Sequence, residues 1–191
     1  MYILVRIIEM NLLNQKWTFW FDALEKNVLK HNWDQFLFRI DSFEDVENFL
    51  KSFSGILQPS SVCFDVNIQM FKFGIEPKWE DIHNLNGGKW VLTISDKQFI
   101  PSVDVLWERT IIAIITQASD IKSIENINGI VLNIKKNFFR ISIWTTNFLD
   151  EVNQIKIGKS WKKLIKKIHT PSKLHLEYFP HTNQLFKKKM Y

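Results

Sequence analysis

Residues 129–144, GIVLNIKKNFFRISIW, alternate apolar and polar side chains in two arms about Lys136 and Asn137, which is the period of a β-hairpin. In the first arm Ile130, Leu132 and Ile134 point one way and Val131, Asn133 and Lys135 the other. In the second, Phe139, Ile141 and Ile143 are separated in the same manner from Phe138, Arg140, Ser142 and Trp144. With the aliphatic sets turned to a core, Lys135, Arg140 and Trp144 emerge together on the opposite face. Two cations beside an indole on one sheet surface suit phosphates next to a base. A hairpin tip charged for solubility is the plainer alternative.

Further strands are expected at Trp17–Phe21, Asp34–Ile40 and Val91–Ile94, with Phe36, Phe38 and Ile40 on one face of the second. Helical spacing marks three other segments. Glu44–Phe53 follows Ser42 as a cap and carries Val46, Phe49, Leu50 and Phe53 on one side. Asp104–Gln117 follows Pro101 and has an Ile-rich centre that predicts deep burial. In Asp150–Ile168 an apolar stripe of Val152, Ile155, Trp161, Leu164, Ile165 and Ile168 opposes lysines at 156, 159, 162, 163, 166 and 167. This is an α+β pattern on 191 residues, a length that suits one domain, 1–191, with 1–11 and 181–191 as mobile ends.

Hydrophobic residues make up 46% of the chain and charged ones 24%, which excludes a disordered class. Apolar runs fall short of the eighteen or so residues a membrane span needs. The opening MYILVRII is interrupted by Arg6 and lacks a cleavage site, so it does not read as a signal peptide. Cys63 reads as a buried apolar filler in a reducing compartment, and the five histidines have no metal-ligand spacing. From Lys135 to Tyr191 there are 13 Lys or Arg against 3 acids, whereas the preceding part has 12 against 17. A basic end beside a more acidic body points to a polyanion partner touching one region, although lysines that are merely solvated give the same count.

The segment 71–90, FKFGIEPKWEDIHNLNGGKW, places an indole beside a carboxylate in a turn-rich stretch. Trp79 can stack on a flat ring while Glu80 accepts two hydrogen bonds from the N1 and N2 edge of a guanine. Gly74 and Pro77 restrict the backbone that presents them. Of eight tryptophans, Trp17, Trp20, Trp90, Trp107 and Trp161 lie in apolar patterns and belong to a core. Trp33, after a polar loop from Asp22 to Asn32, has a polar setting like that of Trp79, and the pair suits a sandwich around a planar ligand.

The ordered landmarks WTFWF (17–21), Trp33, FKFGIEPKWED (71–81), NGGKW (86–90), NGIVLNIK (128–135) and RISIWTTN (140–147) resemble the eukaryotic translation initiation factor 4E family, which binds the messenger RNA cap. The resemblance covers roughly residues 12–147. It implies a curved antiparallel sheet of about eight strands, three helices on its convex face and a cap slot on its concave face. On matching positions it implies that Trp33 and Trp79 sandwich 7-methylguanine, that Glu80 takes the N1 and N2 protons, and that the Trp79 amide meets O6. Lys135 and Arg140 match the phosphate-contacting cations, Trp144 the indole near the N7 methyl group, and Lys89 an Arg that assists the phosphates through water. Lys and Arg are exchanged at these positions relative to the usual pattern, so charge is kept but bidentate geometry at Lys135 is not.

The same resemblance implies a partner surface on the convex face for a scaffold factor 4G-like protein or another helical-motif partner. Val46 matches that site. Leu50, however, stands in place of an anchoring Trp, Glu108 in place of a Leu, Arg109 in place of a Glu and Thr116 in place of a Gly, which points to a diverged partner. The expected protein is a non-enzymatic cap-binding factor in translation initiation, without cofactor or metal, located in the cytoplasm with a nuclear pool. A cap-binding repressor or cap-sequestering relative is the alternative. A nucleotide or cap hydrolase is a more distant one, since no histidine triad, clustered glutamates or phosphate-cradling Gly loop is present. The basic tail, with Lys173, His175 and Lys187–Lys189, suits phosphates or the next nucleotide, or plays no part.

Overall fold

The alternation in residues 129–144 is realised as a hairpin in the middle of an open antiparallel sheet. A computed structural model describes residues 12–23, 36–95, 101–116, 121–168, 175–181 and 188–189. In chain order the elements are β1 (Leu12–Ala23), β2 (Leu37–Asp45), α1 (Val46–Ser54), β3 (Val66–Lys72), β4 (Gly88–Ile94), α2 (Val103–Ile115), β5 (Ile127–Lys135), β6 (Phe138–Thr145), α3 (Glu151–Ile168), β7 (Leu176–Pro180) and β8 (Lys188–Lys189). Among the described residues the sheet has eight strands in the order β2-β1-β3-β5-β6-β4-β7-β8, all pairs antiparallel. The sheet is curved and unclosed, as expected. β3 and β7 were not expected from the pattern.

The parity of the hairpin holds. Ile130, Leu132, Ile134, Phe139, Ile141 and Ile143 all enter the main core with the three helices. Val131 and Trp144 join a second, smaller cluster with Phe71 and Ile75 on the other face. In the main core a run of rings links β1, β2 and α1: Phe19 to Phe43 at 5.0 Å, Phe43 to Phe49 at 5.3 Å and Phe49 to Phe53 at 5.4 Å between centroids. Trp17, Trp107 and Trp161 are among the largest fully buried side chains. Trp161 Nε1 donates to Thr110 Oγ1 at 3.1 Å, and that hydroxyl donates on to Leu106 O at 2.7 Å, so α3 is locked to α2 through a satisfied polar pair.

Four local expectations are corrected. β2 begins at Leu37, and a register shift against Phe19 and Trp20 leaves Ile40 between paired residues. The bulge and the edge position prevent a buried face, so Phe38 and Ile40 are exposed. The cap of α1 is Asp45, whose carboxylate accepts from Asn48 N at 2.8 Å, because Ser42 still belongs to β2 and bonds Thr18 Oγ1 at 2.8 Å. On α3 Val152 and Ile155 face outward, and the buried stripe runs through Gln154, Ile157, Gly158, Trp161, Leu164 and Ile165. Cys63 is exposed, since it lies in the connection between a short turn and β3 rather than in an element.

Gly158 explains why the α3 stripe is displaced. A Cβ there would stand 2.7 Å from Trp90 Cε2 and Cζ2, so the helix backbone itself rests on the indole. The ring is held in place, since Trp90 Nε1 donates to Gln154 O at 3.0 Å. Gly158→Ala gains about 1 kcal/mol of helix propensity but forces an overpacked contact costing about 1–3 kcal/mol. The expected result is a lower urea midpoint at unchanged m-value, by roughly 1 kcal/mol net.

Candidate functional site

Residues 73–87, between β3 and β4, carry no strand pairing of their own and are shaped by side chains. The chain turns at Gly74, whose φ of 88° lies in the left-handed region that glycine tolerates. Asn84, fully buried, donates from Nδ2 to Glu76 O at 2.9 Å and to Lys78 O at 2.8 Å. Its Oδ1 accepts from Asn128 Nδ2 at 3.0 Å, which fastens the loop to β5. Asp81 accepts from Glu76 N and from His83 N, each at 2.9 Å. Burial works to raise the Asp81 carboxyl, but these bonds outweigh it and hold the group below its ordinary range. The tight turn closes with Asp81 N donating to Lys78 O at 3.3 Å, and Trp79 and Glu80 are displayed at its apex. Trp79 is 58% exposed, a ring that packing does not account for.

The floor beneath this loop is the concave face of the sheet, arranged in cross-strand rows. One row pairs Thr18, Phe71, Gly129, Trp144 and Lys89. Gly129 is required there, since a Cβ would lie 2.4 Å from Phe71 Cγ, and Phe71 meets Trp144 edge-on at 5.4 Å and 79°. Another pairs Asp22, Asn67, Asn133 and Arg140. Asp22, expected to open a polar loop, instead continues β1 and is fully buried. Asn67 Nδ2 donates to its Oδ1 at 2.6 Å, Gln69 Nε2 to its Oδ2, and Asn133 Nδ2 to Asn67 Oδ1 at 2.7 Å. Burial raises the Asp22 carboxyl despite those amides and the field of Lys135. A cavity of about 600 Å³ opens over this floor, with Trp79, Trp144, Lys89, Asp22, Asn133 and His181 among its lining.

β7 supplies the remaining wall. Its pairing with β4 brings His181 against Trp144, with ring centroids 4.3 Å apart. His181, expected to begin a mobile end, is tied in on both sides: its N donates to Gly87 O at 2.9 Å, and its ring Nδ1 donates to Asn84 O at 2.8 Å. Nε2 is left as a bare acceptor with no partner among the described residues. Burial and the nearby Lys89 push the His181 pKa down to about 4, against the pull of the Asn84 bond. Lys89, whose Nζ sits 5.6 Å from the Trp144 ring centre, is lowered in turn by burial and by Arg140. Burial also pushes the Tyr178 hydroxyl up to about 12, keeping it neutral for its 3.0 Å bond to Thr145 Oγ1.

A pH dependence follows from the depressed histidine. The folded chain keeps His181 neutral, whereas the unfolded chain takes up the proton near the ordinary value of 6.5. Stability from this residue is therefore complete above pH 6.5 and is lost as pH falls toward about 4. The expected loss is about 3 kcal/mol, and His181→Gln flattens the melting profile across that window.

Three of the residues expected from sequence, Trp79, Lys89 and Trp144, line one cavity. Glu80 is exposed beside Trp79. Lys135 and Arg140 share the concave face of the hairpin, where Lys135 Nζ lies 3.3 Å from Asp65 Oδ1 and Arg140 Nε 3.5 Å from Thr93 Oγ1. Trp33 lies outside the described residues, as do Lys173 and Lys187. His175 Nε2 stands 3.3 Å from Glu177 Oε1. On the convex face Val46 is only 7% exposed, so little of it is left for a partner to touch, while Leu50, Glu108 and Arg109 are exposed. Asp22, Asn67, Gln69, Asn84, Asn128 and His181 were missed by sequence reading; the NGGKW and WED landmarks flank Asn84 but do not single it out.

The sequence matches the family described as Eukaryotic initiation factor 4E across residues 12–191. It is 37% identical over 80% of its length to an isoform 4E initiation factor of Solanum lycopersicum, covering 74% of that protein. Among solved structures, eIF4E-3 of Ascaris suum in complex with an m2,2,7G cap is similar at a TM-score of 0.83 and 25% identity, with 95% of this chain and 97% of that one covered. A schistosome eIF4E in complex with m7GpppA and 4E-BP is similar at 0.75 and 26%, covering 89% and 87%. The match over residues 12–191 and the shared sheet agree with the Trp-bearing loop above the concave floor: the chain belongs to the eukaryotic initiation factor 4E family of translation initiation factors.

Proposed function

We propose that the chain binds the 7-methylguanosine cap of messenger RNA and acts in translation initiation. The observation that carries this reading is the exposed Trp79 ring, presented on a loop fixed by Asn84 and Asp81 over a cavity that also contains Trp144 and Lys89. In this reading Trp79 and Trp33 take the base between them, and Glu80 accepts from N1 and N2 while the Trp79 amide meets O6. Lys135 and Arg140 hold the phosphates, with Lys89 acting through water and Trp144 lying near the methyl group. N7 methylation makes the base a cation, which strengthens stacking on the indoles by about 0.5–2 kcal/mol and makes N1–H a better donor to Glu80. The cap-bound relatives from Ascaris suum and the schistosome support the same assignment.

Tryptophan fluorescence titration with 7-methyl-GTP and with GTP tests it. The methylated ligand is expected to bind roughly tenfold or more tightly, and equal binding of the two would remove the basis of the reading. Incubation with 7-methyl-GTP is expected to return it unchanged.

On the convex face the proposed partner is a helical motif of the kind carried by 4E-binding proteins, such as the one in the schistosome complex. Leu50 offers less area than an aromatic anchor, and Arg109 presents a positive charge to any motif bearing a cation at the facing position. A peptide with the ordinary 4G motif is expected to bind weakly, and tight binding in calorimetry would refute a diverged partner. The cap-sequestering alternative draws on the same Leu50 position, since weakened recruitment leaves cap binding intact.

A further inference from the structure

The floor of the slot holds a charge that the base-reading residues do not explain. Asp22 is fully buried, and both of its oxygens face amide donors, Asn67 Nδ2 and Gln69 Nε2. Both amides donate, which favours the ionised, acceptor-only form against the burial that raises this carboxyl. Among the described residues no cation forms an ion pair with it: Lys135 engages Asp65, and Arg140 turns toward Thr93. A buried charge held by neutral dipoles, with only the field of Lys135 beyond them, is costly to keep. Asp22 is nevertheless among the residues that line the cavity, together with Trp79 and Trp144.

We propose that Asp22 is a specificity-determining residue whose carboxylate biases the slot toward a flat cation over a neutral ring of the same shape. The inference rests on the slot being the 7-methylguanine site. No contact with the base is required, because a cavity of about 600 Å³ is only roughly 8 Å across and a unit charge on its wall acts over that distance. The same field opposes phosphates, so nucleosides isolate the effect better than nucleotides do.

The test is Asp22→Asn. Gln69 Oε1 is buried without a partner among the described residues, so the Gln69 amide can turn over and accept from the new side-chain NH₂. Asn67 meanwhile keeps its bonds to position 22 and to Asn133. Binding of 7-methylguanosine and of guanosine is measured for wild type and variant, with thermal melting as the folding control. The affinity ratio is expected to fall roughly tenfold in the variant, through weaker 7-methylguanosine binding. Asp22→Ser, neutral and smaller, replaces it if the asparagine variant melts early, and the same fall is expected. An unchanged ratio, or equal weakening of both nucleosides, overturns the role of Asp22 and leaves the cap assignment standing. A wild type that does not distinguish the two nucleosides overturns both.

Discussion

Trp79→Ala lowers the affinity for 7-methyl-GTP by roughly a hundredfold while leaving the melting temperature almost unchanged. Base stacking on one aromatic contributes about 1–3 kcal/mol, and the charge of the methylated base adds about 0.5–2 kcal/mol. Each 1.4 kcal/mol or so is a factor of ten. The ring is 58% exposed, so its removal opens no cavity and changes stability by no more than about 0.5 kcal/mol. Calorimetry is the appropriate readout, because the substitution removes one of the fluorophores. A Trp79→Ala protein that melts normally and binds at wild-type strength would exclude this loop from the site. Trp33→Ala is expected to give a loss of similar size if the two rings act as a pair.

Asn84→Ala is expected to damage both stability and binding. The substitution removes one of two donors to Glu76 O and to Lys78 O and one of two acceptors of Asn128 Nδ2, which keep their bonds to Lys78 N, Asp81 N and His83 O. Each lost bond contributes about 0.5–1.5 kcal/mol, partly recovered when the loop opens to water, so a net destabilisation of about 2 kcal/mol is expected in chemical denaturation. At temperatures well below the melting transition, 7-methyl-GTP affinity should still fall more than tenfold, because the turn at Trp79 and Glu80 is no longer set. Asn84→Asp sharpens the test. It preserves size but cannot donate to either carbonyl, so it should resemble or exceed the alanine variant. A stable Asn84→Asp protein with full affinity would show that the loop is shaped by Gly74 and Pro77 alone.

The central hairpin was legible because a two-residue period leaves no freedom: once the aliphatic set faces the helices, Lys135, Arg140 and Trp144 must share the other face. Trp79 was legible because a large ring in a polar, turn-rich stretch has no packing explanation. Asp22 was not, because a carboxylate after WTFWF looks like the end of a strand, and only the amides of Asn67 and Gln69, 45 and 47 residues further on, make it tolerable inside one. Asn84 was hidden for a related reason. The groups that its amide nitrogen holds are backbone carbonyls, which every sequence offers at every position. The bulge at Ile40 likewise depends on the register against β1, which local alternation does not encode.

The bond from His181 to Asn84 spans 97 residues, and the one from Asn133 to Asn67 spans 66. Contacts of such sequence separation repay the chain only after the entropy cost of closing the intervening loops has been met. The recess over the sheet therefore exists only once distant parts of the chain have met. A copy with a frayed β7 edge lacks the His181 wall, so occupancy of the recess reports the complete fold rather than any part of it. A ligand bound there stabilises the complete fold over forms that lack the recess.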